Sequence, residues 1–109
     1  MQDSFKSRES QFEAKFAHDE DVKFKIRAHR NKLFAAWVAD QMGDGAPPDY
    51  ADSLIEFALV SGSADVIEKA LQDLHNHGVA LANTKIRKAY HQCEERARLD
   101  VMNTLMPTG

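Results

Sequence analysis

Cysteine occurs once in this sequence, proline three times and glycine five times among 109 residues. The single Cys93 rules out an internal disulfide and fits a reducing compartment. So few glycines and prolines, set among many Ala, Leu, Lys, Asp and Glu, leave the chain few places to turn and point to helices. No convincing strand alternation is present. No apolar run approaches the roughly 20 residues that cross a bilayer, so membrane insertion is not expected. The start, MQDSFKSRESQ, has no apolar h-region, which makes the cytoplasm the expected location. Charge of either sign is not in excess: the formal net charge is −3, which argues against bulk attraction to nucleic acid. Nucleotide-binding glycine loops are also missing, and nothing announces a base or an oxyanion site for Cys93, so no enzyme is expected.

What is present reads as four helical segments in one domain, a size that supports a modest single core. The first ends at Met42, with Gly43 as its stop. Its clearest apolar stripe is Val22, Ile26, Leu33 and Trp37, widened by Phe34, Val38 and Met42. GDGAPPD, residues 43 to 49, breaks the chain, and Pro48 suits the first turn of the next helix. Ala51, Leu54, Ile55, Ala58 and Leu59 give that second helix an apolar side. Ser63 is the expected N-cap of a third, which buries Val66, Ile67, Ala70, Leu71 and Leu74 before Gly78. Asn83 or Thr84 is expected to cap a fourth, with Ile86, Ala89, Tyr90, Cys93 and Ala97 buried and Val101 and Leu105 extending the stripe. Short connections favour antiparallel neighbours. The expected fold is all-α: a four-helix bundle over residues 20–106 behind a mobile N-terminal segment, residues 1–19. A monomer is expected.

Two fragments invite a chemical reading. His75 and His77 in HNHG point in different directions on a helix and lack a matching pair, so no metal site is expected. KFKIRAHRNK, residues 23 to 32, spreads its charges around the helix. It reads as a solvated, salt-bridged surface or as a contact for an anionic partner.

FEAKFAHDED, residues 12 to 21, is the least ordinary stretch. At about 100° per residue, Phe5, Phe12 and Phe16 fall within roughly 40° of one another on a helical wheel. Their centre lies about 70° from the Val22, Ile26, Leu33 and Trp37 stripe. Either a bend brings these rings into the same core or they dock elsewhere. Phe24 also stands apart from the stripe.

The longer run FKSRESQFEAKFAHDEDVKFKIRAHRNKLFAAW, residues 5 to 37, resembles the N-terminal half of the zeta-subunit family of alphaproteobacterial F-type ATP synthases. Phe5, Arg8, Glu9, Phe12, Glu13, Lys15, Phe16, Ala17, His18, Asp19, Phe24, Lys25, Ala28, Arg30, Asn31, Leu33 and Trp37 carry the resemblance. His29 stands where the family commonly has Arg. The resemblance implies a small four-helix bundle that inhibits ATP hydrolysis. It implies that the N-terminal segment docks at a catalytic alpha/beta interface, near the central stalk, and blocks rotation. Carried over, Phe5, Phe12 and Phe16 are the apolar anchors, while Arg8, Glu9, Glu13, Lys15, His18 and Asp19 supply polar complementarity. The implied partner is the catalytic head of the synthase, at its cytoplasmic face. No cofactor is required, although weak adenine-nucleotide binding occurs in the family. The competing reading is a helical bundle that senses a small ligand, either adenine nucleotide or metal.

Overall fold

The computed structural model describes residues 18–105. Four helices run through them: α1, Glu20–Met42; α2, Tyr50–Leu59; α3, Ser63–Asn76; and α4, Asn83–Leu105. No strand occurs among the described residues. The expected all-α bundle is what the chain forms.

Each break has a local cause. Gly43 closes α1 at φ 69°, and its N–H donates to the carbonyls of Ala39 and Asp40. That left-handed conformation suits a residue without a Cβ. A short 3₁₀ turn, Gly43–Gly45, follows, and the two prolines delay the next helix to Tyr50. The end of α3 is a Schellman motif. Gly78, at φ 79°, donates to the His75 carbonyl, and Val79 donates to the Leu74 carbonyl at 2.8 Å. Val79 then packs against the core, as this cap requires. Two expected caps are replaced. Gly62, not Ser63, is the N-cap of α3, and Ser63 Oγ instead accepts from the Tyr90 hydroxyl at 3.0 Å. Asn83 is the first residue of α4 rather than a cap, and its Oδ1 accepts from Arg87 Nε at 3.1 Å.

α1 and α4 are antiparallel along their lengths. Val22 packs with Val101 and Met102, Arg30 pairs with Glu94, and the Phe34 ring meets Tyr90 edge-on at 5.0 Å. The short helices α2 and α3 cover only one end of this long pair. There lies the main core: Phe34, Ala35, Val38 and Met42 of α1 against Tyr50, Leu54 and Ala58, Val66, Ala70 and Leu74, and Ile86 and Tyr90. Each large side chain buried there contributes about 1.5–3 kcal/mol. With ten residues α2 is too short to persist alone, so this packing holds it. The Tyr50 hydroxyl adds a hydrogen bond of 2.8 Å to Asp73, which also pairs with Lys69. Burial and that carboxylate push the phenol well above its ordinary range.

The first stripe read from the sequence needs correcting. Val22 and the widening residues Phe34, Val38 and Met42 are buried as expected, but Leu33 and Trp37 are only half-buried, Trp37 packing against the main core, which also takes Ala35. The cause is a change of neighbours along α1. Its first half packs chiefly on α4 through Val22 and Ile26, whereas its second half is surrounded by α2, α3 and α4. The buried face therefore moves around the helix.

Candidate functional site

The sequence places the candidate site at the N-terminal end. Phe5, Arg8, Glu9, Phe12, Glu13, Lys15 and Phe16 lie outside the described residues, while His18 and Asp19 lie within them and are exposed. Asp19 is the N-cap of α1, with extended backbone at φ −81° and ψ 114°. Its Oδ1 accepts from the N–H of Asp21 at 3.0 Å and of Val22 at 3.4 Å. Its carbonyl accepts from Lys23 N–H at 3.0 Å. Glu20 and Asp21 follow in the first turn, where carboxylates favour the positive end of the helix dipole. The acid cluster after the aromatics is thus a helix start, and the Asp19 carboxylate is engaged by the helix itself.

Below this start, Val22 and Ile26 pack on Val101, Met102 and Leu105 as a small second apolar cluster. One turn further, polar groups bind α1 to α4. His29 Nε2 lies 2.9 Å from Asp100 Oδ2, and Arg96 Nε lies 3.1 Å from Asp100 Oδ1. Arg30 reaches Glu94 at 3.1 Å, donates through Nε and NH2 to the buried Asn31 Oδ1, and lies 5.0 Å above the Tyr90 ring. Its side chain is only 12% exposed. The basic run is therefore partly structural. Arg30 and His29 serve the helix pairing, Lys23 pairs with Glu20, and Arg27 makes no ion pair among the described residues.

The His29 hydrogen bond, then Arg96, holds the Asp100 carboxyl below the ordinary carboxylate range, against the opposing effect of desolvation. The folded state therefore binds this proton less readily than the unfolded chain. The resulting stability is present above the unfolded value and disappears as pH falls through the folded one. Asp100→Asn should melt below wild type near neutrality, and the gap in Tm should close as pH falls through about 4 and below. Thermal melts of both proteins across that range read the sign directly.

The remaining sequence candidates are placed without ambiguity. His77 Nδ1 lies 2.9 Å from the Asp73 carbonyl at the end of α3. No cluster of three or more metal-ligating side chains occurs among the described residues. Cys93 is half-buried on the main core, and burial pushes its thiol up, away from the reactive thiolate. No described helix is long and apolar enough to cross a membrane.

Among the grooves that the described residues form, two lie against α1. One, of about 470 Å³, lies between α1 and α4 beside Trp37, Lys85, Lys88 and Gln92. The other, of about 280 Å³, lies where α2 ends and α3 begins, against Phe24, Arg27 and Ala28 of α1. Sequence reasoning noted Phe24 without placing it and missed Asn31 and Asp100. Polar residues inside a charged run give no signal of burial, since only the facing helix makes them structural.

Against this geometry, one comparison with known proteins is informative. The family model described as ATPase inhibitor subunit zeta matches residues 1–100, a span that takes in the aromatic N-terminal stretch, the first three helices and most of α4. No curated protein and no solved structure matches the chain.

Proposed function

This chain belongs to the ATPase inhibitor subunit zeta family, and from that premise we propose that it is a regulatory subunit that restrains ATP hydrolysis by an F-type ATP synthase. The N-terminal segment inserts at a catalytic alpha/beta interface beside the central stalk and blocks rotation in the hydrolytic direction. Phe5, Phe12 and Phe16 anchor it, and Arg8, Glu9, Glu13, Lys15 and His18 satisfy the polar surroundings. The bundle carries the segment and performs no bond chemistry of its own. The complex forms on the cytoplasmic face of the membrane.

The observation that carries this reading is the extent of the family match, which is continuous from the aromatic stretch into the bundle. The helix start at Asp19 supports it physically. α1 satisfies its own first N–H groups there, so the helix does not depend on preceding turns to begin.

Truncation tests the division of labour, provided that it spares the cap. Removing residues 1 to 18 while keeping Asp19 is expected to abolish inhibition and to leave Tm nearly unchanged. Removing Asp19 as well costs a further ~1 kcal/mol through the lost N-cap. Hydrolysis by a purified head and thermal melts of the two truncations separate these effects. Full inhibition by the shorter protein would place the inhibitory element in the bundle instead.

A further inference from the structure

α1 carries a second register, apolar except for Asn31, that its main stripe conceals. Phe24, Ala28, Asn31, Ala35, Val38 and Met42 follow one another at spacings of four and three residues, the period of a helix-packing seam. The last four are buried under α2, α3 and α4, whereas Ala28 is exposed and Phe24 is 57% exposed. The seam outruns its cover, because α2 stops at Leu59 while α1 continues towards Glu20. The groove of about 280 Å³ lies at this step. Its floor is the unfinished seam, with the small Ala28 beside the large Phe24, and Leu59, 62% exposed, stands at the end of α2. Val60, next in the chain, is 87% exposed. Phe24 and Leu59 thus set two large exposed apolar side chains beside the same groove, while Val60 does not line it.

The surrounding charge narrows the choice of occupant. Arg27 lines the groove and makes no ion pair among the described residues. Gly62 and Ser63 line it as the start of α3, and no side chain caps that helix. Asp65, in the first turn of α3, does not line the groove. The rim is therefore positive around an apolar floor. Position narrows it further: Phe24 lies five residues beyond Asp19, a rise of about 7.5 Å along the helix. With the preceding segment inserted in the catalytic head, this part of α1 is held against the head's surface.

We propose that the groove of Phe24, Arg27, Ala28 and Leu59 is a second docking site, occupied by an amphipathic helix of the catalytic head that presents apolar side chains flanked by carboxylates. It rests on the inhibitory reading above and adds an anchor separate from the inhibitory segment. The occupant completes the seam in line with α2, and its carboxylates meet Arg27.

Full-length Phe24→Asp, Leu59→Asp and Arg27→Glu test this, each with binding to a purified ATPase head and inhibition of its hydrolysis measured side by side. All three positions are exposed, and Arg27→Glu alters no apolar contact, so Tm should stay close to wild type. The expected result is a half-maximal concentration raised about tenfold, equivalent to 1.4 kcal/mol, with maximal inhibition retained. Unchanged half-maximal concentrations in all three variants overturn the proposal. Tighter binding by the variants also overturns it, because the groove then holds the chain's own N-terminal segment. A concentration-dependent dimer of wild type that is lost in Phe24→Asp overturns it in favour of a second copy. A wild-type protein that neither binds nor inhibits the head overturns both this proposal and the inhibitory reading.

Discussion

Replacing Phe12 and Phe16 together by alanine should remove most of the inhibition and leave the melting temperature almost where it was. Each ring buried at an interface contributes about 1.5–3 kcal/mol, so the pair supplies roughly 3–6 kcal/mol of docking. With every 1.4 kcal/mol equal to a factor of ten, the half-maximal concentration should rise about a hundredfold or more. Stability should hardly respond, because the core of the bundle is assembled from other residues. Phe34, Val38, Leu54, Leu74, Ile86 and Tyr90 are each at most 2% exposed among the described residues. No buried side-chain donor or acceptor among those residues lacks a partner. A fall of many degrees in the double variant would return the two rings to the core and remove the basis for an independent docking element.

Phe34→Ala should show the reverse pattern. This ring is 1% exposed, meets Tyr90 edge-on and stacks on Trp37 at 6.2 Å with planes 12° apart. It stands where α1 and α4 come together over α2 and α3, so its removal leaves a cavity bordered by several helices. Phe→Ala in such a site costs about 3–5 kcal/mol, a large share of the 5–15 kcal/mol that holds a domain together. For a domain of about 100 residues, that lowers Tm by more than roughly 12 °C. Inhibition measured well below the new Tm should survive, because the docking segment is intact. Denaturant melts and low-temperature assays separate the two effects. A Tm shift of only a few degrees would show that the junction repacks around the gap.

These contrasts also show which parts of the molecule its sequence discloses. Helices α2 and α3 are legible because each packs mainly in one direction, although Leu59, expected on the apolar side of α2, is 62% exposed at its end. Leu54 and Ala58, and likewise Val66, Ala70 and Leu74, are apolar at helical spacing and buried. The ends marked by Gly43 and Gly78 are legible because a positive φ favours glycine. α1 misleads because its neighbours change. Val22 and Ile26 turn to Val101 and Met102, while Phe34 and Val38 turn to the main core about 120° away on the helical wheel. A single stripe drawn through Val22, Ile26, Leu33 and Trp37 averages two environments. The wheel direction of Phe5, Phe12 and Phe16 lies about 80° from the Val22 and Ile26 face and about 40° from the Phe34 and Val38 face.

The candidate site is legible for a different reason. Its named residues came from the likeness of residues 5 to 37 to the zeta family, and the family match over residues 1–100 supports the membership. Most of those residues lie outside the described span, so their roles rest on resemblance. What the sequence conceals are contacts that need both helices: the Asp19 cap competing with an interface role, the His29–Asp100 pair, and Arg30 folded over Tyr90. The unfinished seam at Phe24 is visible in the spacing of residues 24 to 42. It becomes meaningful only once α2 is seen to end short of it.

The most direct test of the central claim is a titration of full-length protein into a purified alphaproteobacterial ATPase head while hydrolysis is followed. The expected result is a saturable fall in rate that the Phe12→Ala, Phe16→Ala double variant fails to reproduce at the same concentrations. A hydrolysis rate unchanged at saturating wild-type protein would contradict the account.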